Sequence, residues 1–134
     1  MRLRDLTLRE GEQRPGVTYT IEQKIKAARK LDTLGVDTIQ LGFPVVDDRT
    51  ERVVERVTLD AKTSGIARAV RGDVDAAVSA GVDVVDLFAP TSERQLETVV
   101  QTSRSDLTED VVTAADYARD HGVEVVFNAM DGFR

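Results

Sequence analysis

Charged and polar residues crowd into one short segment, Asp5-Leu6-Thr7-Leu8-Arg9-Glu10-Gly11-Glu12-Gln13. Arg9 carries a planar, multi-donor head that suits a developing oxyanion. Glu10 offers the oxygen ligand that a hard divalent cation prefers. Gln13 can hold either of them in place. Apolar and β-favouring residues run from Leu3 to Leu8, so the segment reads as a strand that stops at a polar site. On an extended backbone Arg9 and Glu10 would leave in opposite directions. A bend, which Gly11 permits, is needed for both to serve one site. The same charges also suit a solvated strand end with a surface ion pair.

The elements that would position these residues come from a repeat. Gly35-Val36-Asp37, Gly81-Val82-Asp83 and Gly122-Val123-Glu124 each close a helical pattern and open an apolar run. Each glycine stands where a helix needs a left-handed residue after its last turn, and each run reads as a buried strand. Helix-glycine-strand units imply βα units with parallel strands. The first helix starts at Thr20, with Gln23 completing a capping-box pattern. Ile21, Ile25, Ala28, Leu31 and Leu34 form its apolar face. Strands are expected at Val36 to Gly42, Ile66 to Val70, Val82 to Phe88 and Val123 to Phe127. Further helices are expected from about Asp47 to Ala61, from Asp73 to Ala80, and after Asp106, whose capping-box partner is Glu109. A short helix around Leu96 to Val100 fits the long connection after Pro90.

Five strands and four crossover helices make just over half of an eight-stranded TIM (β/α)8 barrel. Residues 1–134 then form the N-terminal part of one domain. Such a piece has two open parallel edges, which points to a longer protein or to a half-barrel that needs a partner. Barrels of this kind place their active sites at the C-terminal strand ends. The candidate polar residues cluster there: Arg9, Glu10 and Gln13 after the first strand, Arg68 on the third and Asp86 on the fourth. Thr91 and Ser92 follow the fourth strand, and Asn128 and Asp131 follow the fifth. Structural roles fit several of them equally. Asp5 reads as a satisfied strand carboxylate or as support for the site. Asp86 could pair with Arg68 purely structurally. Thr91 and Ser92 could cap a turn. His121, in a last helical turn, suits a cation near the helix dipole.

Composition narrows the class. At 41% hydrophobic and 31% charged the chain is that of a globular domain. Its net charge of −6 argues against nucleic-acid and anionic-membrane partners. It has no cysteine, so thiolate metal ligands are excluded. No apolar run reaches spanning length and the N-terminus has no signal-peptide pattern, so the expected compartment is the cytoplasm.

The opening segment also resembles a family signature. D-x-T-L-R-[DE]-G-E-Q begins the pyruvate carboxyltransferase-like domain of the DRE-TIM metallolyases. These include 2-isopropylmalate, homocitrate and citramalate synthases and hydroxymethylglutaryl-CoA lyase. The similarity continues through Leu41-Gly42-Phe43-Pro44, Ala67-Arg68-Ala69 and Phe88-Ala89-Pro90-Thr91-Ser92. It implies a metal-dependent acyltransferase that condenses acetyl-CoA with a 2-oxo acid, within amino-acid biosynthesis, leucine biosynthesis included. It implies a divalent ion (Mg, Mn or Zn) and a homo-oligomeric complete protein. Under the resemblance Arg9 is catalytic, Glu10 is the metal ligand, and Gln13, Arg68, Asp86 and Asn128 bind substrate. Asp5 supports the metal ligand from behind.

Two departures stand out against that family. Its metal site needs a His-x-His pair from a later strand, and His121 is the only histidine here. These 134 residues are therefore expected not to catalyse by themselves. On the fifth strand Met130 stands where relatives have a glutamate, and Val126 where homocitrate synthases tend to have an arginine. The latter favours a smaller or apolar oxo acid over a dicarboxylic one. The alternative is a catalytically silent barrel segment that binds an oxo acid or a partner subunit.

Overall fold

Five parallel strands lie side by side in chain order in the computed structural model, which describes residues 1–133. They are β1 (Arg4–Asp5), β2 (Thr38–Gly42), β3 (Lys62–Arg68), β4 (Val84–Pro90) and β5 (Glu124–Met130). Helices α2 (Ile21–Thr33), α3 (Arg49–Val54), α4 (Arg71–Ser79) and α6 (Arg104–Asp120) cross between successive strands. A single turn, α1 (Thr7–Glu10), and a 3₁₀ turn (Gly11–Gln13) follow β1. α5 (Glu93–Gln95) runs on as one π turn (Leu96–Val100).

The glycine repeat ends each helix as its spacing implied, although the strand after Gly122 is largely exposed instead of buried. Gly35, Gly81 and Gly122 have φ of 77°, 74° and 77°, left-handed values that let each helix end and the next strand begin at once. Thr20 caps α2 with the full capping box, its hydroxyl accepting from Gln23 N while the Gln23 side chain accepts from Thr20 N.

Alternation along the strands separates two faces. Ile39, Leu41, Ala67, Val85 and Leu87 turn outward and pack under the helices. Ile25, Ala28 and Val53 cover β2, while Val74, Ala77, Ala114, Ala115 and Ala118 cover β3 and β4. The alanines bring α6 close to the sheet. The other face carries Arg4, Gln40, Ser64, Asp86 and Val126, and its polar members bond to one another (below).

Several boundaries differ from the sequence expectation, each for a physical reason. The first strand ends at Asp5 instead of Leu8, because Asp5 accepts from Thr7 N (2.9 Å) and Thr7 Oγ1 (3.1 Å) and starts a helical turn. β3 begins at Lys62 and not at Ile66. Its polar first half hid it, yet Thr63 and Ser64 are buried and bonded to Asp83 and Asp86. α3 stops at Val54, well short of Ala61, and the connection after it runs on to β3. The N-cap of α6 is Ser103, whose hydroxyl accepts from Asp106 N (3.0 Å), so Asp106 lies inside the helix. Asp73 likewise sits inside α4. Leu34 lies beyond α2 and is exposed.

Candidate functional site

α1 and the 3₁₀ turn set the site's geometry. Helical spacing replaces the extended backbone expected here, so Arg9 and Gln13 share one face, four residues apart. Arg9 Nη1 lies 2.5 Å from Glu10 Oε1. With the Gln13 amide assigned the orientation that suits both neighbours, its nitrogen donates to Glu10 Oε2 (2.8 Å) and its oxygen accepts from Arg9 Nη1 (2.7 Å). Arg9, Glu10 and Gln13 thus form one hydrogen-bonded cluster at the C-terminal end of β1. The Arg9 guanidinium is mostly covered, and the Glu10 carboxylate is half exposed. Asp5 reaches the cluster indirectly, through the turn it starts.

Behind Arg9 lies a buried network. Arg9 Nε donates to Gln40 Oε1 (2.7 Å) on β2, and Gln40 Nε2 donates to Asp86 Oδ2 (2.5 Å) on β4. Asp86 is fully buried, and it also accepts from Ser64 Oγ (2.8 Å) and pairs with Arg4. Asp86 therefore meets Arg4, and Arg68 bonds elsewhere. Arg68 makes a two-point pair with Asp73 (2.7 and 2.8 Å), which holds its guanidinium above the usual value. Asn128 is exposed on β5, away from the cluster, with its amide 3.5 Å from Leu87 O. Thr91 donates through both N and Oγ1 to Met130 O (2.9 and 2.8 Å), tying the ends of β4 and β5 instead of capping α5. His121 rests its Nδ1 on Tyr117 O (2.8 Å) in the last turn of α6, a structural position.

A second support holds the same turns from below. Lys24 on α2 is 1% exposed, and its ammonium has three partners: Leu8 O (3.0 Å), Leu41 O (2.7 Å) and Glu12 Oε2 (2.7 Å). All three N–H donors are thereby used. Glu12 also accepts from Tyr19 N (2.9 Å) and Arg49 Nη1 (2.6 Å). Burial pushes the Glu12 carboxyl up, but Lys24, the Tyr19 N–H and Arg49 together hold it below its ordinary value of 4.5.

A cleft of about 200 Å³ opens beside Arg9 and Gln13, with Phe43, Val46 and Ile66 as apolar walls. Among the described residues, no three His, Cys, Asp or Glu side chains converge as a metal-binding group.

The profile of the HMGL-like family matches residues 1–134. The chain belongs to the HMGL-like family. A probable 2-isopropylmalate synthase of Methanopyrus kandleri is 46% identical over 137 residues, covering 100% of this chain and 28% of that protein. A homocitrate synthase of the same organism is 46% identical over 133 residues, covering 97% of this chain and 34% of that protein. The chain thus spans about a third or less of the curated relatives it matches. A hydroxymethylglutaryl-CoA lyase structure from Pseudomonas aeruginosa superposes with a TM-score of 0.76 at 25% identity, covering 94% of this chain and 44% of that one. The five strands are the first part of a TIM barrel.

For this HMGL-like chain, reading the sequence missed Gln40, Ser64, Arg4 and Lys24. Gln40 and Ser64 are single polar residues inside strands, and no spacing marks them. Lys24 sits on the face of α2 that also buries Ile25 and Ala28. An uninterrupted apolar stripe was expected there.

Proposed function

We propose that this chain contributes the first half of the active site of an enzyme that condenses acetyl-CoA with a 2-oxo acid. What carries the reading is the mounting of Arg9. Its Nε is held by Gln40 and its Nη1 by Glu10 and Gln13, while its Nη2 hydrogens have no partner among the described residues. A guanidinium fixed at one end and free at the other, above an open cleft, is built to receive an oxyanion. In the condensation the acetyl methyl carbon loses a proton and bonds to the 2-oxo carbon. The ketone oxygen becomes an alkoxide, and thioester hydrolysis then frees the thiol. Arg9 would donate to that alkoxide, and Gln13 would hold Arg9 and Glu10 in their paired geometry.

A divalent ion is part of the proposal. Glu10 supplies an oxygen donor suited to a hard cation, and it is the one ligand this chain would contribute. One carboxylate is not a site, so the remaining ligands must come from elsewhere in the complete enzyme. When bound, the ion would polarise the ketone. Met130 has no group that accepts a proton, so the base is assigned to none of these residues.

Phe43, Val46 and Ile66 on the cleft favour a small or apolar oxo acid. Val126 lies outside that cleft, beside Asp86 in the β4–β5 register, and adds no charge for a second carboxylate. The two relatives act on different acids at equal identity, so similarity alone does not choose between them. The test is thiol release from acetyl-CoA by the full-length protein, given pyruvate, a branched 2-oxo acid or 2-oxoglutarate in turn. Release with one of the first two and little with the third is expected. Release with none of them would remove the reading, and release with 2-oxoglutarate alone would overturn the choice of acid.

A further inference from the structure

Asp86 and Gln40 lie too deep to meet a substrate, at 0% and 2% exposure, yet their bonds run straight to Arg9. We infer that they are positioning residues for Arg9: the buried carboxylate orients the amide, and the amide orients the guanidinium. This rests on the function proposed above for Arg9.

The argument begins with what an amide can do. Gln40 must donate on one side, because Asp86 Oδ2 (2.5 Å) only accepts. It must accept on the other, because Arg9 Nε (2.7 Å) only donates. The amide therefore has one orientation, and its carbonyl fixes the angle at which the Arg9 plane leaves the sheet. Asp86 is itself held on three sides. Ser64 Oγ shares Oδ2 at 2.8 Å, and Arg4 occupies Oδ1. Arg4 also balances the Asp86 charge, so Arg9 meets a neutral dipole instead of a second carboxylate. Its positive charge then stays available at the cleft. Three strands, β2, β3 and β4, thus converge to aim one side chain that projects from the turn after β1.

The full-length protein labelled with 15N-arginine tests this, using hydrogen exchange at the Arg9 Nε–H, assigned by its loss in Arg9→Lys. Gln40→Met keeps the length of the side chain but removes both bonds. It should speed that exchange about tenfold or more. It should also lower kcat for thiol release by a similar factor, while KM for the oxo acid changes by less than about threefold. Asp86→Asn leaves an acceptor for the Gln40 amide and should retain most of the protection. Asp86→Ala should lose it although Gln40 is untouched. If Gln40→Met does not fold, Gln40→Asn carries the same test, since the shorter amide cannot span both partners. A purely structural network would lower stability and leave the Nε–H exchange unchanged, and that result would overturn the inference. Lost protection in a protein whose parent releases no thiol would leave the positioning intact and remove the proposed reaction.

Discussion

Arg9, Glu10 and Gln13 were readable from the sequence because charge density and a nearby glycine marked them together. Their mutual geometry was not readable, since the backbone there is a helical turn and not a strand end. Arg68 shows the opposite case. Its place on β3 was legible, but its two-point pair with Asp73, five residues ahead, was not. Residue type gives chemistry, while competition among neighbours decides who receives it. Glu10→Gln provides the test at this scale. In the full-length protein it should weaken divalent-ion binding in calorimetric titration, because the amide removes the negative charge that a hard cation seeks. The fold should survive, since the side chain is half exposed. Unchanged affinity would take Glu10 out of the metal site.

Elements were legible where a local rule sets their ends. The capping box at Thr20 and the glycines after α2, α4 and α6 needed no tertiary information. β3 was misplaced because its Lys-Thr-Ser-Gly start is polar, and the burial that makes it a strand comes from bonds to Asp83 and Asp86 on a later segment. The Lys24–Glu12 support was likewise invisible, since it joins α2 to a turn of another element. That support makes a prediction about acid. Glu12 is depressed in the folded protein, so the stability it contributes is complete above its ordinary value of 4.5. That stability drains away as the pH falls through the lowered value. Urea midpoints measured from pH 6 to pH 3 should fall steeply in the parent and less steeply in Glu12→Gln, which no longer titrates. Equal slopes would mean that Glu12 is not strongly held.

At the scale of the molecule, the parallel order β1 to β5 followed from the repeat, because right-handed crossovers leave few alternatives. The same repeat implied open edges at the first and fifth strands, and β1 and β5 are the edge strands of the described sheet. β5 pairs only with β4, and Val126, Phe127 and Met130 along it are exposed. A parallel edge and an apolar strip of that kind invite association. The 134-residue polypeptide expressed alone should therefore be oligomeric or aggregated in light scattering. A dilute monomer with a cooperative unfolding transition would contradict this. The central claim concerns Arg9, and its most direct test is the kinetics of thiol release by Arg9→Lys in the full-length protein. Lysine keeps the charge but loses the planar fork that Gln40 and Gln13 hold. Transition-state stabilisation should drop by about 2–4 kcal/mol, the scale of one oxyanion donor, seen in kcat/KM for the oxo acid. Activity within a factor of about two of the parent would show that Arg9 does not stabilise the reaction.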